Sequence, residues 1–176
     1  MESSDVSGAK DLLAAVYDEL RSLARAKLSS ENPGQTLQAT ALVHEAFIRL
    51  VNSKTAQQWD SRGHFFASAA EAMRRILIEQ ARHKKASKFG GDFQRVEMQD
   101  FGFCVLRESD ELLALDEALE KLKDEDSEAA NVAQMRLFTG ITLAETALAL
   151  GMSQTTVFRQ WTYAKAFLQH ELQSKE

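Results

Sequence analysis

Residues 142–172, TLAETALALGMSQTTVFRQWTYAKAFLQHEL, decide the architecture of this chain. Thr142 followed three residues later by Glu145 is a capping box, in which each side chain accepts a backbone N–H that a helix start leaves unpaired, so a helix begins at Leu143. Leu143, Ala147, Leu148 and Leu150 supply its apolar side, and Gly151 ends it, because glycine adopts positive φ without steric cost. Ser153 can cap a second helix whose Val157, Trp161, Ala164 and Leu168 recur at i, i+4, i+7 and i+11 as one buried stripe. The small Ala147 allows the two helices to cross closely, and Val157 packs into the angle. A short amphipathic helix turning on glycine into a longer one is the pattern of a helix-turn-helix, whose second helix enters the major groove. An ordinary αα-hairpin shares this pattern, so the remainder of the chain has to discriminate.

The whole chain reads as all-α. Its 176 residues are 44% hydrophobic and 27% charged, with one proline and eight glycines, which leaves long uninterrupted intervals for helices. The single cysteine, Cys104, excludes an internal disulfide, and with no signal-peptide pattern the expected location is the reducing cytoplasm. No stretch approaches the roughly 18 apolar residues of a membrane span, so none is expected. The net charge of −5 is unevenly placed. Residues 1–95 hold 14 Lys/Arg against 11 Asp/Glu, residues 96–128 hold 3 against 12, and residues 129–176 hold 4 against 3. Such a distribution permits nucleic-acid contact at both ends and disfavours it in the middle.

Apolar spacing predicts a helix over about 10–29, broken by Asn32-Pro33-Gly34, and a second from Thr36 or Gln38 to Val51. A third runs from about His64 to Lys88, with Phe66, Ala70, Met73, Leu77 and Ala81 as its stripe. The periodicity fails from Phe89 to Ser109 and resumes near Asp110, where Leu112, Leu115, Leu119 and Leu122 share a face. Ser127 is expected to cap a further helix to Phe138. The expected organisation is therefore two small helical domains, residues 1–90 and 110–176, joined by an acidic linker over 91–109, the second a four-helix domain containing the helix-turn-helix.

Two surfaces suggest nucleic-acid contact. The third helix carries Arg74, Arg75, Arg82, Lys84, Lys85 and Lys88, with Trp59, Phe65 and Phe66 near its start. Bases stack on aromatic rings while phosphates meet cations, which is the combination single-stranded DNA requires. A solvated basic face complementing the helix dipole would show the same cations. Phe66 falls on the core stripe, which leaves Trp59 and Phe65 as the stacking candidates. On the 154–172 helix, Gln154, Thr155, Phe158, Arg159 and Gln160 point away from the buried stripe, where Arg can read guanine and Gln adenine. With only Arg159 and Lys165 as cations there, this domain alone should bind DNA weakly. An enzyme is not expected. His44-Glu45 begins like the zinc-protease HExxH, but Ile48 stands in the fifth position, so no metal is expected. No P-loop, dinucleotide fingerprint or nucleophile elbow occurs, and no cofactor is expected.

These segments resemble the extracytoplasmic-function (ECF) sigma factors of bacterial RNA polymerase. ALVHEAFIRLV at 41–51 resembles the family's polymerase-binding helix, WDSRGHFFASAAEAMRRILIEQARHKKASK at 59–88 its promoter-melting segment, and 143–172 its promoter-reading helix-turn-helix. The resemblance implies a non-catalytic specificity subunit whose partners are core RNA polymerase, through the β′ clamp helices and the β flap, promoter DNA, and an anti-sigma factor. Carried over by position, His44, Glu45 and Arg49 would meet polymerase. Trp59, Phe65, Arg74, Arg75 and Arg82 would face the melted −10 strand, and Gln154, Thr155, Phe158, Arg159 and Gln160 the −35 duplex. The chain departs from the family at Gln38-Ala39-Thr40-Ala41, where many members carry acids, and at Phe158, where Lys or Arg is common. A free-standing helix-turn-helix regulator is the alternative, and it leaves residues 1–90 without a role.

Overall fold

The computed structural model of the chain describes residues 33–52, 61–87 and 109–174. Every regular element among them is a helix: α1 (Pro33–Asn52), α2 (Arg62–Ser87), α3 (Ser109–Glu125), α4 (Ser127–Thr139), α5 (Leu143–Leu150) and α6 (Gln154–Gln173). The all-α expectation holds. The helix expected over 10–29, Trp59 and the expected linker up to residue 108 lie outside the described residues, and Ser109, the last residue of that linker, already belongs to α3.

Helix starts follow capping chemistry. Pro33 opens α1 earlier than apolar spacing suggested, since its missing N–H costs nothing in a first turn. Ser61 Oγ accepts the His64 N–H at 3.2 Å, which starts α2 at Arg62, two residues before the expected His64. At α4 the expected cap, Ser127, is displaced by Asp126, whose Oδ1 accepts the Ala129 N–H at 3.0 Å. A carboxylate there also complements the positive end of the helix dipole, which a hydroxyl does not.

The 142–172 segment folds as its spacing predicts. Thr142 Oγ1 accepts the Glu145 N–H at 3.2 Å, and Glu145 Oε2 accepts the Thr142 N–H at 2.7 Å. Gly151 stands at φ 64°, ψ 31°, and its N–H reaches the Leu148 carbonyl at 3.4 Å while the Met152 N–H reaches the Ala147 carbonyl at 3.0 Å. This pair of bonds is a Schellman closure, which consumes two carbonyls that the end of α5 would otherwise leave unpaired. Ser153 Oγ then accepts the Thr156 N–H at 3.1 Å and starts α6. Ala147, Val157, Trp161, Ala164 and Leu168 are buried as expected. Leu148 is not: it is 85% exposed. It lies about a third of a turn round the helix from Ala147, outside the stripe that Leu143, Thr146, Ala147 and Leu150 share. The buried Thr146 keeps its hydroxyl satisfied by donating to the Thr142 carbonyl at 2.8 Å.

α2 is the central element and packs against α1, α3, α4 and α5. Its expected stripe of Phe66, Ala70, Met73, Leu77 and Ala81 is buried, and a second stripe, Phe65, Ala69 and Ile76, is buried beside it, with Ile78 beyond. Apolar side chains thus cover more than half of the helix circumference, wider than the roughly 100° face that suits a helix packed on one side. One continuous apolar core results, running from Leu42 and Val43 of α1 through α2 to Leu168 of α6. At the start of α2 the backbone of Gly63 approaches the end of α5 so closely that a Cβ would lie 1.6 Å from the Ala149 carbonyl oxygen.

Replacing Gly151 with alanine puts a Cβ on a residue at φ 64°, where open space surrounds it and only backbone strain is added. Gly151→Ala should therefore cost about 1–2 kcal/mol in urea unfolding with an unchanged m value. A loss within experimental error would show that the α5–α6 turn does not depend on the left-handed conformation.

Candidate nucleic-acid interface

The face of α6 opposite its buried stripe is built by helical period. Gln154, Thr155, Phe158 and Arg159 are exposed, Phe158 to 60%, and Thr162, one turn beyond Phe158, continues the same exposed face. The spacing that identified the other four also identifies Thr162, which sequence reasoning passed over. Its hydroxyl donates to the Phe158 carbonyl at 2.8 Å. Gln160 is only half-buried and leans off this face, its Nε2 donating to Glu128 Oε2 of α4 at 3.2 Å. The other cation of α6, Lys165, lies 5.6 Å from the centre of the Trp161 ring, which Arg136 of α4 also covers at 4.7 Å. Burial pushes the Arg136 pKa down from its ordinary value, but a guanidinium keeps its charge, and the indole face is the partner that this charge meets. Arg159 is therefore the main cation on the outward face, which offers hydrogen-bonding and apolar groups in greater number than charge.

The cationic side of α2 divides into two kinds of residue. Arg75 and Arg82 are exposed, Arg75 pairing with Glu71 one turn earlier. Phe65 and Arg74, expected to face a nucleic-acid strand, are instead buried, at 1% and 9% exposure. Phe65 belongs to the second apolar stripe of α2 and packs edge-on to Phe66 with ring centres 6.2 Å apart. Arg74 is turned onto α3 and α4. Its Nε donates to Asp116 Oδ1 at 2.7 Å, its Nη2 to Glu120 Oε1 at 2.8 Å and to the Asp116 carbonyl at 3.2 Å, and its Nη1 to Gln134 Oε1 at 2.8 Å. Four of five guanidinium N–H groups are thereby used inside the chain. Asp116, Glu120 and Gln134 carry no local signal that could have announced this role, because they lie 42 to 60 residues away in sequence.

On α1, His44 and Arg49 are exposed and Glu45 is half-buried. Arg49 bridges two helices, its Nη2 contacting Glu45 Oε1 at 3.1 Å and Glu79 Oε2 of α2 at 2.8 Å. The hydrogen bond from Arg49 holds the Glu79 carboxyl below its ordinary pKa, with the charges of Arg49, His83 and Arg75 acting in the same direction. The same pairing raises the pKa of Arg49. Between α2, α3 and α4 lies a polar cleft of about 360 Å³, lined by acids and bases in mixture, among them Glu71, Arg75, Arg82 and Lys123. No described helix is long and apolar enough to cross a membrane.

A family model described as ECF sigma factor matches residues 1–174, nearly the whole chain. No curated protein and no solved structure matches it. The chain belongs to the ECF sigma factor family, and its role is in transcription initiation with RNA polymerase on promoter DNA.

The Arg49–Glu79 pair has a defined dependence on pH. A carboxyl whose folded pKa is depressed contributes stability at neutral pH that is lost as pH falls through that folded value. An NMR titration should place the Glu79 midpoint below its ordinary 4.5, and Arg49→Ala should move it back up. The change in stability itself should be small, because the pair is exposed and screened by solvent. A midpoint unmoved by Arg49→Ala would show that the bridge does not persist in solution.

Proposed function

We propose that this ECF sigma factor directs core polymerase to its promoters by dividing the work between its two ends, and that it acts in the cytoplasm without catalysing any reaction itself. Residues 110–176 read the −35 element, with α6 in the major groove and Gln154, Thr155, Phe158 and Arg159 toward the bases, which Gln160 joins only on leaving Glu128. Residues 1–90 engage the β′ clamp helices through His44, Glu45 and Arg49 and open the −10 element with Trp59, Arg75 and Arg82. Phe65 and Arg74 take part only once the packing around them has changed. The linker over 91–109 runs toward the RNA-exit path, where its acids repel stray nucleic acid. The β flap and an anti-sigma factor are further partners of this reading.

The observation that carries the −35 assignment is the exposed face of α6, presented by the Gly151 turn and bearing Gln154, Thr155, Phe158 and Arg159. Arg and Gln suit purine edges in the major groove, and Phe158 and Thr155 suit a thymine methyl. Phosphate neutralisation supplies most DNA affinity, and a face with one principal cation supplies little. The reader therefore depends on polymerase for delivery to the promoter, which is the arrangement of a sigma factor rather than a free-standing regulator.

Run-off transcription with core polymerase tests the reading. Promoter-dependent product should appear only when the chain is added, and Arg159→Ala should reduce it by about 10- to 100-fold, the loss of one bidentate base contact. Binding to core polymerase, measured separately, should survive. No product across a genomic promoter library would defeat the proposed function, and loss of core binding in Arg159→Ala would defeat the division of roles.

A further inference from the structure

Along α6, Thr155, Phe158 and Thr162 stand at i, i+3 and i+7 and form one exposed row, with Arg159 beside it. The row is poor in groups that can donate to a base. Phe158 has no polar side-chain atom and is 60% exposed. Thr162 spends its one hydroxyl donor on the Phe158 carbonyl at 2.8 Å. Lys165, the next member of the row, is half-buried, with its Nζ 5.6 Å from the centre of the Trp161 ring. Gln160, on the flank toward α4, has its amide donating to Glu128 at 3.2 Å. Long donors remain at the edges of the row, in Gln154 and Arg159, while its middle is apolar surface in water.

In the major groove the C5 methyl of thymine is the apolar group that a base edge offers, and the other edges present N7, O6, N4 or N6. A phenyl ring laid on a polar edge removes its water and returns no hydrogen bond, which is costly. Phe158 therefore selects by gain at thymine and by loss elsewhere. We propose that this sigma factor reads a −35 element in which thymine methyls carry the discrimination: Phe158 covers one, Thr162 covers a second, and Arg159 fixes a guanine beside them. Thr162 is thereby a specificity-determining residue alongside Phe158. This inference rests on the −35 reading proposed for α6. Phe158 and Thr162 are separated by about 6 Å along the helix axis, so their thymines lie within about two base steps of each other. Methyl contacts add discrimination without adding charge, so such a reader separates promoters while its non-specific hold on DNA stays weak.

The test uses holoenzyme, core polymerase with the full chain, on a promoter recovered by run-off transcription from the genomic library. Each thymine of its −35 element is replaced in turn by deoxyuridine, which removes the C5 methyl and keeps every hydrogen-bonding group. At limiting holoenzyme, two of these templates should give about fourfold less product, the change that corresponds to one buried carbon. Sensitivity at one position should vanish in Phe158→Ala, and at the other in Thr162→Ser, which keeps the hydroxyl. Both residues are exposed, so neither change opens a cavity in the core. A wild type indifferent to deoxyuridine at every −35 position would overturn the inference. So would losses that persist unchanged in both variants, since these mark readout of duplex shape rather than of methyls. Product from the unmodified template reports the proposed function by itself. Its absence would defeat that reading and this one together, whereas a productive but indifferent wild type defeats only this one.

Discussion

The guanidinium of Arg74 is the constraint on which the arrangement of helices depends. Its side chain is only 11% exposed, and a cation removed from water to that degree is tolerated only where charge and hydrogen-bond acceptors replace the lost hydration. Asp116 and Glu120 on α3 and Gln134 on α4 provide that replacement together. None of these helices can slide or rotate against α2 without leaving a polar atom unpaired. The pair of charges contributes less to net stability than its short distances suggest, because desolvation offsets most of the attraction. Its effect is on geometry: apolar packing of Leu, Ile and Ala tolerates many registers, and the guanidinium accepts one. The Gly63–Ala149 approach constrains the opposite end of α2 by steric means.

That geometry gives the two proposed DNA surfaces different standing. The face of α6 is presented by a turn whose bonds are all local, from Thr142 to Thr156. On α2, by contrast, Arg74 is shared with α3 and α4, while Arg75 and Arg82 stay exposed.

Much of this was legible in the sequence, and the reason is range. The capping box at Thr142 and Glu145, the left-handed Gly151, the Ser153 cap and the Val157–Leu168 stripe involve residues within a few positions of one another. Their chemistry is decided by helical period and backbone sterics alone. The same holds for the outward face of α6, where period places Gln154, Thr155, Phe158 and Arg159 together without knowledge of the partner helix. Near misses such as Asp126 in place of Ser127 arose where two adjacent residues could both cap and only their charge separated them.

What only the tertiary structure decided concerns residues whose environment comes from elsewhere in the chain. Phe65 and Arg74 sit beside an aromatic and a basic neighbour in sequence, which makes both resemble strand-binding residues. Whether such a side chain faces solvent depends on how many sides of α2 are covered, and that is set by α1, α3, α4 and α5 together. The amino-acid sequence by itself determined an all-α chain, its helix-turn-helix and the outward face of α6, because period and capping are local. Tertiary structure decided which cations remain outside, because the burial of Arg74 depends on carboxylates and an amide brought from 42 to 60 residues away.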